Sequence, residues 1–282
     1  IAAAALRAHP LTQPKEAIMS RFPTYFISHG GGPWPWVPAM RQMFANLESA
    51  LARMPAEVGA RPKAVLMISG HWETPDFAVM SSPHPPMVYD YGGFPPETYK
   101  IAYPAPGAPA LAQQIAGLIA AAGLPTHLDA KQGYDHGTFV PAYVMYPQAD
   151  MPILQVSLQH GYDPAAHFAL GRALAPLRDA GVLIVGSGLS YHNLRMFGPG
   201  AKIPSEAFDA WLFEVMALPP AERTAALLEW EKAPYARICH AEEDHLAPLF
   251  VALGAAEADS AQQVYHDKGL MGGVTASSYK LG

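Results

Sequence analysis

Four mostly apolar runs of strand length constrain the fold of this chain more than any other feature of its sequence. The longer ones are KAVLMIS (63–69), MPILQVSL (151–158) and GVLIVGSG (181–188), and TYFIS (24–28) is shorter. Apolar runs without polar alternation are typical of strands that are covered on both faces, as in parallel sheets. The pattern therefore predicts an α/β fold.

Helical periodicity separates these runs, and we predict a single domain over residues 21–282. Its central, mostly parallel or mixed β-sheet is expected to have helices on both faces. An edge strand is predicted near VYHD (264–267), and the Pro- and Gly-rich region from Thr74 to Gly107 is predicted to be a long functional loop. Residues 1–20 are predicted to be an N-terminal leader or disordered extension. The predicted helices are 39–53, 108–123, 164–180, 205–218, 220–233 and 244–256.

Composition narrows the classes of partner. Half of the 282 residues are hydrophobic and 15% are charged, which is typical of a compact globular enzyme. The net charge of −6 and the lack of a basic patch argue against nucleic acid, and no apolar run has the length of a membrane span. The single cysteine, Cys239, excludes a disulfide within the chain and favours the cytoplasm.

Histidines follow three of the predicted strands. His29 follows TYFIS, His71 follows KAVLMIS, and His192 follows GVLIVGSG. Ligands of open α/β sheets bind at the carboxyl ends of the strands. For one such histidine a solvent-facing loop residue is the simpler interpretation, but three at equivalent places favour a metal site, because imidazole is a common ligand of divalent metals.

Two further segments carry histidines of interest. His136, in GYDHGTFVP, is either a loop histidine satisfied by Asp135 or the backbone, or an acid/base or substrate-binding group. In CHAEEDHLAPLF (239–250), the macrodipole of a helix N-terminus explains the acidic residues. It does not explain His240 and His245, which fit that position better as neutral or metal-bound imidazoles.

Six motifs together carry a family resemblance over roughly residues 24–282. The chain resembles the class III extradiol ring-cleavage dioxygenases of the LigB-like superfamily, and within them most resembles the branch of the 4,5-DOPA extradiol dioxygenases. The resemblance implies one LigB-like catalytic domain. The motifs, in chain order, are SHGGGP, ISGHWE, YDYGGFPPETYKIAYPAPG, YDHGTFVP, GSGLSYHNLR and EEDHLAPLFVALGAA.

The resemblance also implies site residues. A mononuclear Fe(II) would be held by His29 and His71, with His245 as the third ligand, and the carboxylates of residues 242–244 stay open as the alternative to His245. His192 corresponds to the acid/base group of the family and to a fourth ligand when Zn(II) occupies the site. His136 corresponds to a histidine that assists substrate binding or proton transfer.

The activity implied by the resemblance is extradiol opening of a catechol-type ring with O₂ as cosubstrate, which gives a muconic-semialdehyde-type product. We predict that Tyr89 and Tyr91 in the long loop bind this small catecholic substrate, and that Lys100 and Arg195 are the candidates to bind a substrate carboxylate. Two alternatives are a Memo-like binding protein that retains metal without turnover and a zinc-dependent hydrolase with Glu73 as its base. Self-association into a homo-oligomer is left open.

Overall fold

The structure is a computed structural model that describes residues 21–282. The predicted leader or extension, 1–20, lies outside the described residues. The strands of the described chain are β1 (Thr24–Ser28), β2 (Ala64–Ser69), β3 (Glu73–Thr74), β4 (Phe77–Met80), β5 (Thr126–Asp129), β6 (Ile153–Gln155), β7 (Leu158–Gln159), β8 (Val182–Gly188), β9 (Ala261–Leu270) and β10 (Val274–Leu281).

Six of these strands form the central sheet, in the order β6-β2-β8-β1-β10-β9. The pairs β6–β2, β2–β8 and β8–β1 are parallel, whereas β1–β10 and β10–β9 are antiparallel. Every residue of β1, β2 and β8 is buried, as their apolar sequences predict. The predicted single-domain α/β fold with a mixed sheet is confirmed, and β9 is the predicted edge strand.

Helices pack around this sheet, and among residues 21–282 none is long and apolar enough to cross a bilayer. Short 3₁₀ helices lie at Trp34–Trp36, Pro96–Lys100, Pro199–Ala201 and Trp230–Lys232. The α-helices are α1 (Pro38–Met43), α2 (Ala45–Val58), α3 (Pro109–Ala121), α4 (His136–Met145), α5 (Pro164–Leu174), α6 (Pro176–Asp179), α7 (Lys202–Met216), α8 (Pro220–Leu228), α9 (Ala236–Cys239) and α10 (Ala247–Ala255).

The side chains of β8 show that helices cover both faces of the sheet. A Cβ on Gly186 would lie 2.2 Å from the carbonyl oxygen of Pro248, so this face of β8 lies directly against α10. The next residue, Ser187, points to the other face, where its hydroxyl donates to the carbonyl of Gly137 in α4 at 2.5 Å. Helices α10 and α4 therefore lie on opposite sides of the strand.

Several predicted elements are subdivided in the structure. The predicted helix 39–53 is two helices, α1 and α2, which meet at Phe44, where the backbone leaves helical geometry with φ −95° and ψ 16°. The buried ring of Phe44 packs there against Trp34 with a centroid distance of 5.4 Å. The predicted strand 151–158 ends in the central sheet at Gln155. Beyond it, the amide of Ser157 donates to Ala78 of β4, so the chain turns toward the small β4–β5 sheet.

Two other boundaries were wrong. The region from Thr74 to Gly107 contains strand β4 and a 3₁₀ helix and is not irregular throughout. The predicted helix 244–256 begins only at Ala247, so that His245 lies in the turn before α10. That turn matters because it brings His245 toward the sheet.

Candidate active site

The carboxyl ends of β1, β2 and β8 lie side by side and place three of the predicted histidines at one edge of the sheet. Ser28 is paired with Gly188, and Ser69 with Ser187, so the three strands end at the same level. His29 follows β1 directly and His71 follows β2 by two residues. His192 lies four residues beyond β8.

His245 reaches this edge because glycine at position 188 allows a close backbone approach. Its carbonyl oxygen accepts a hydrogen bond from the amide of Leu189 at 3.1 Å. A Cβ on Gly188 would lie 2.1 Å from that same oxygen, so any other side chain would push the turn away. The glycine after the GVLIVGS run thus places His245 opposite the strand ends.

Three imidazole nitrogens converge at this edge. Nε2 of His71 lies 3.1 Å from Nε2 of His29 and 3.1 Å from Nε2 of His245. The ring centroids are 5.0 Å apart for His29 and His71, 5.0 Å for His29 and His245, and 4.7 Å for His71 and His245. The Nε2 atom of His71 is therefore a close neighbour of both other Nε2 atoms. Potential ligand atoms of the site also form two groups whose members lie within 4.8 Å of one another, one of His29, His71 and His136 and the other of His192, Asp244 and His245.

The opposite ring nitrogen, Nδ1, has an oxygen partner in all three histidines. Nδ1 of His245 lies 2.7 Å from a carboxylate oxygen of Asp244, and Nδ1 of His71 lies 3.2 Å from Asp90 Oδ2. Nδ1 of His29 lies 3.1 Å from Ser187 Oγ, whose hydroxyl proton is already donated to the carbonyl of Gly137. The oxygens of Ser187 and Asp244 accept, so in His29 and His245 the imidazole proton is on Nδ1 and Nε2 presents a lone pair. For His71, the negative charge of Asp90 beside Nδ1 favours the same tautomer.

Burial keeps these rings neutral. It lowers the pKa of His29 and of His71 well below the usual value, and the neighbouring imidazoles lower both further. Burial also lowers the pKa of His245 to about 4, although the bond to Asp244 acts in the opposite direction. Neutral imidazole is the form that binds metals.

This donor set fits a divalent metal ion. Metal–nitrogen bonds of about 2.1 Å at angles of about 90–110° hold two nitrogens about 3.0–3.4 Å apart, which agrees with the two Nε2 separations. With the protons on Nδ1, the three Nε2 lone pairs have no proton to share, and a cation is the partner that all three can have. An oxygen partner on the second ring nitrogen is also the usual arrangement of metal-binding histidines.

Asp90 connects this group to His136. One oxygen of the carboxylate accepts from the backbone amide and from Nδ1 of His136, at 3.0 and 2.9 Å, and the other oxygen faces Nδ1 of His71. His136 is the first residue of α4, which Asp135 caps by accepting from the amide of Thr138. His136 is therefore not a loop histidine satisfied by Asp135, and its Nε2 is left without a proton.

Asp244 makes the corresponding connection to His192. Its Oδ1 lies 3.4 Å from Nδ1 of His192, and its Oδ2 lies 2.7 Å from Nδ1 of His245. The rings of His192 and His245 stack at a centroid distance of 3.4 Å. Burial alone would raise the pKa of Asp244, but the hydrogen bonds with His192 and His245 outweigh it and hold the pKa below its usual range.

A cavity of about 560 Å³ opens over the five histidines, which all line it. Tyr91 also lines the cavity, with its ring 5.9 Å from that of His136 and its hydroxyl donating to the carbonyl of Thr98. Tyr89 is not among the lining residues, and its hydroxyl donates to the carbonyl of Ile101. The apolar side of the cavity is formed by Met40, Phe94, Leu189, Leu194, Phe197 and Met271.

The structure thus brings together His29, His71, His136, His192 and His245, all of which the sequence singled out. It also adds residues that the sequence did not identify. Asp90 and Ser187 fix three of the five imidazoles, yet neither has a spacing or pattern that distinguishes it. Asp244 was predicted only as an alternative ligand, whereas its carboxylate faces the Nδ1 atoms of two histidines.

Comparisons with known proteins agree with this geometry. Residues 23–282 match the family described as the catalytic LigB subunit of aromatic ring-opening dioxygenase. A Beta vulgaris protein named 4,5-DOPA dioxygenase extradiol is 38% identical over 92% of this chain and 96% of its own length. The dioxygenase tasH of Hapsidospora irregularis is 34% identical over 94% of this chain and 86% of its own length. The crystal structure of an uncharacterized Escherichia coli K12 protein superposes with a TM-score of 0.75 at 27% identity, covering 93% of this chain and 100% of that chain.

Proposed function

Because this chain belongs to the LigB family of aromatic ring-opening dioxygenases and is an extradiol dioxygenase, we propose that it uses Fe(II) and O₂ to open a catechol ring. The observation that carries the proposal is the convergence of the Nε2 atoms of His29, His71 and His245, each with a partner on Nδ1. The product would be of the muconic-semialdehyde type, with both oxygen atoms incorporated.

His29, His71 and His245 would hold the ferrous ion. When bound, it supplies a redox-active centre with open positions for a catecholate and for O₂. The surroundings support His245 over a carboxylate as third ligand. Asp244 is engaged with the Nδ1 atoms of two histidines, and Glu243 forms an ion pair with Arg237 at 2.8 Å.

His192 would act as the base toward a catechol hydroxyl. Its Nδ1 faces Asp244, so Nε2 is the atom that accepts the proton, and the carboxylate stabilises the imidazolium that forms. The same Nε2 can return the proton later in the reaction. In the predicted fourth-ligand role, that Nε2 would bind Zn(II) instead of a proton.

His136 would bind the substrate or assist the proton transfer from the other side of the cavity. Its Nδ1 proton is held by Asp90, which leaves Nε2 as an acceptor for a second catechol hydroxyl. Tyr91 would pack against the aromatic ring, since its side chain lines the same cavity. Tyr89 would act only indirectly, by packing behind Tyr91 at a centroid distance of 6.2 Å.

The substrate class follows from the cavity and the family. An aromatic ring fits a space of about 560 Å³ that has histidines on one side and apolar side chains on the other. The Beta vulgaris relative is named for DOPA, so L-DOPA with cleavage at the 4,5 position is the first reaction to test.

The alternatives are less well supported. The zinc hydrolase was predicted with Glu73 as its base, but Glu73 is exposed, bonds to the hydroxyl of Tyr162 and does not line the cavity. The two carboxylates that do line it, Asp90 and Asp244, already face the Nδ1 atoms of histidines. A Memo-like protein that only retains metal would have no use for His136 and His192, the two cavity histidines that the proposal assigns to substrate binding and proton transfer.

Two further proposals, made from the sequence, concern the cellular compartment of the protein and its self-association. The thiol of Cys239 is buried, burial raises its pKa to about 12, and the chain has no second cysteine. The cytoplasm is therefore the proposed compartment. Self-association into a homo-oligomer stays a prediction that analytical ultracentrifugation tests.

The proposed function is tested by anaerobic reconstitution with Fe(II), followed by air and a panel of catechols that includes L-DOPA and protocatechuate. We expect oxygen uptake with a stoichiometric yellow product. The Zn(II)-loaded protein is the matched control and should bind catechols without uptake, because zinc has no accessible redox step. An iron-loaded protein that binds catechols but takes up no oxygen would contradict the proposal.

A further inference from the structure

A second cavity of about 560 Å³ adjoins the one that contains the five histidines. His192, Leu194 and Asp244 line both, and the second is also lined by Arg195 and Glu242. These three side chains thus contact both cavities, so a ligand arm that leaves the histidine cavity beside His192 would meet the lining of the second cavity. Arg195 lies three residues from His192, so their Cα atoms are at most about 11 Å apart.

The guanidinium of Arg195 differs from those of the other arginines in the described chain, because it makes no hydrogen bond or ion pair within residues 21–282. Only the backbone amide of Arg195 forms a hydrogen bond. The eight other arginines of that range contact a carboxylate or a backbone carbonyl. They are Arg21, Arg41, Arg53, Arg61, Arg172, Arg178, Arg223 and Arg237.

The backbone that carries Arg195 is held in place. The Asn193 side chain accepts from the amide of Arg195 at 3.0 Å and donates to the carbonyl of Ile238 at 2.7 Å. The buried Tyr191 donates its hydroxyl to the carbonyl of Met196 at 2.6 Å. The turn therefore fixes the backbone of a cationic residue that lines the second cavity, and ordering that backbone adds little to the cost of binding an anion.

The neighbouring carboxylates do not neutralise this cation. Asp244 faces the Nδ1 atoms of His192 and His245, and Glu242 lies more than 4.0 Å from the Arg195 guanidinium, since the two form no ion pair in the described residues. We propose that Arg195 binds a carboxylate at the end of the substrate's side arm. The inference rests on the proposed function and makes the preferred substrates catechols with a carboxylate-bearing arm.

A guanidinium suits this task because its planar pair of N–H groups matches the two oxygens of a carboxylate. Arg195 is exposed, so water and salt weaken the attraction. Glu242, in the same cavity, repels the anionic arm. We therefore expect Arg195 to contribute moderately to the affinity for the substrate and clearly to the selectivity between substrates with charged and with neutral arms.

The test compares two ligands that share the catechol ring and the arm, dihydrocaffeate, whose arm ends in a carboxylate, and its uncharged methyl ester. Their affinities for the Zn(II)-loaded protein are measured by calorimetry, which needs no turnover. Arg195→Ala should weaken dihydrocaffeate about five- to tenfold and the ester less than about twofold. The control, Arg53→Ala, removes an exposed arginine that pairs with Glu57 far from the cavity, and should change neither affinity. Glu242→Gln should strengthen dihydrocaffeate about twofold and leave the ester unchanged.

The outcomes separate the two proposals. If the unmodified protein binds both ligands and Arg195→Ala weakens them equally, or weakens neither, the arginine site is overturned while the proposed function stands. If the unmodified protein binds no catechol, the proposed function fails and the arginine site with it. With the Fe(II) protein, Arg195→Ala should raise KM for dihydrocaffeate by the same factor and leave kcat unchanged.

Discussion

Replacing Asp90 by Asn tests how the candidate metal site is built. One oxygen of this carboxylate accepts two bonds from His136, and the other faces Nδ1 of His71 at 3.2 Å. In Asp90→Asn, the amide oxygen keeps the two bonds to His136, so the amide nitrogen faces His71. Two donors then oppose each other, and His71 must move its proton to Nε2, the atom that presents its lone pair to the metal.

The magnitude follows from the bond that is lost. A hydrogen bond to a charged group contributes about 1.5–3 kcal/mol, which corresponds to about 10- to 150-fold in a dissociation constant. Loss of the oxygen partner of a metal-binding histidine typically weakens metal binding about 10–100-fold. We therefore expect Asp90→Asn to weaken metal binding about 10–100-fold while the protein stays folded.

The assay is a competition of the apoprotein against a chelator of known affinity, with Zn(II) in air and with Fe(II) under anaerobic conditions. Asp76→Asn is the matched control, because Asp76 forms the same kind of pair with Nδ1 of His127 at 3.0 Å, on the surface and away from the cavity. Its metal affinity should not change. If folded Asp90→Asn binds metal as tightly as the unmodified protein, the tautomer argument is refuted.

Three further predictions concern other residues. His29→Ala should lose metal, whereas His192→Ala should keep metal and lose about 10²–10⁴-fold in kcat. Metal content and turnover are measured on both variants, and unchanged turnover in His192→Ala would contradict its role as the base. Burial lowers the pKa of His167 in the folded protein. As pH falls below about 6.5, only the unfolded chain protonates this imidazole, so the free energy of unfolding falls by up to about 1.4 kcal/mol per pH unit. Urea unfolding of His167→Gln should show a weaker decline between about pH 6.5 and 4.5, and an equally steep decline would argue against this origin. Arg178→Met should lower the free energy of unfolding by about 2–4 kcal/mol, since it leaves the buried carbonyl oxygens of Phe22 and Ala255 without their donor and the partly exposed Asp259 without its ion pair. A loss below about 1 kcal/mol would contradict that reading.

Much of the central sheet could be predicted because most of its strands are each indicated by a pattern within a short stretch of sequence. The apolar runs of β1, β2 and β8 are covered on both faces, and an uninterrupted apolar sequence reports that burial directly. Strand β4 could not be predicted in the same way. It has four residues within a Pro-rich region, and it forms a ladder only because β5, far along the chain, lies beside it.

The site residues also divide into those indicated by a local sequence pattern and those whose position depends on contacts between distant segments. His29, His71 and His192 could be found because they follow strands, and parallel strands of one sheet end at a common edge. Asp90 is 46 residues from His136 in sequence, and their contact depends on how the long loop folds over the sheet. His245 was found through motif resemblance, but its position depends on the close approach to Gly188, which strand and helix patterns do not encode.

The two carboxylates suggest why three neutral imidazoles suffice as metal ligands in such a site. A divalent ion held by three neutral groups keeps its full charge in a buried place, which is unfavourable unless negative charge lies nearby. Asp90 and Asp244 each place a carboxylate one imidazole ring away from the Nε2 atom of a proposed ligand, behind His71 and His245. They would balance the charge of a bound ion without taking a coordination position, which would leave positions open for a catecholate and O₂. Each also lies beside an imidazole, His136 or His192, that the proposed function assigns to proton transfer, and so each would link charge balance at the metal to proton transfer at the substrate.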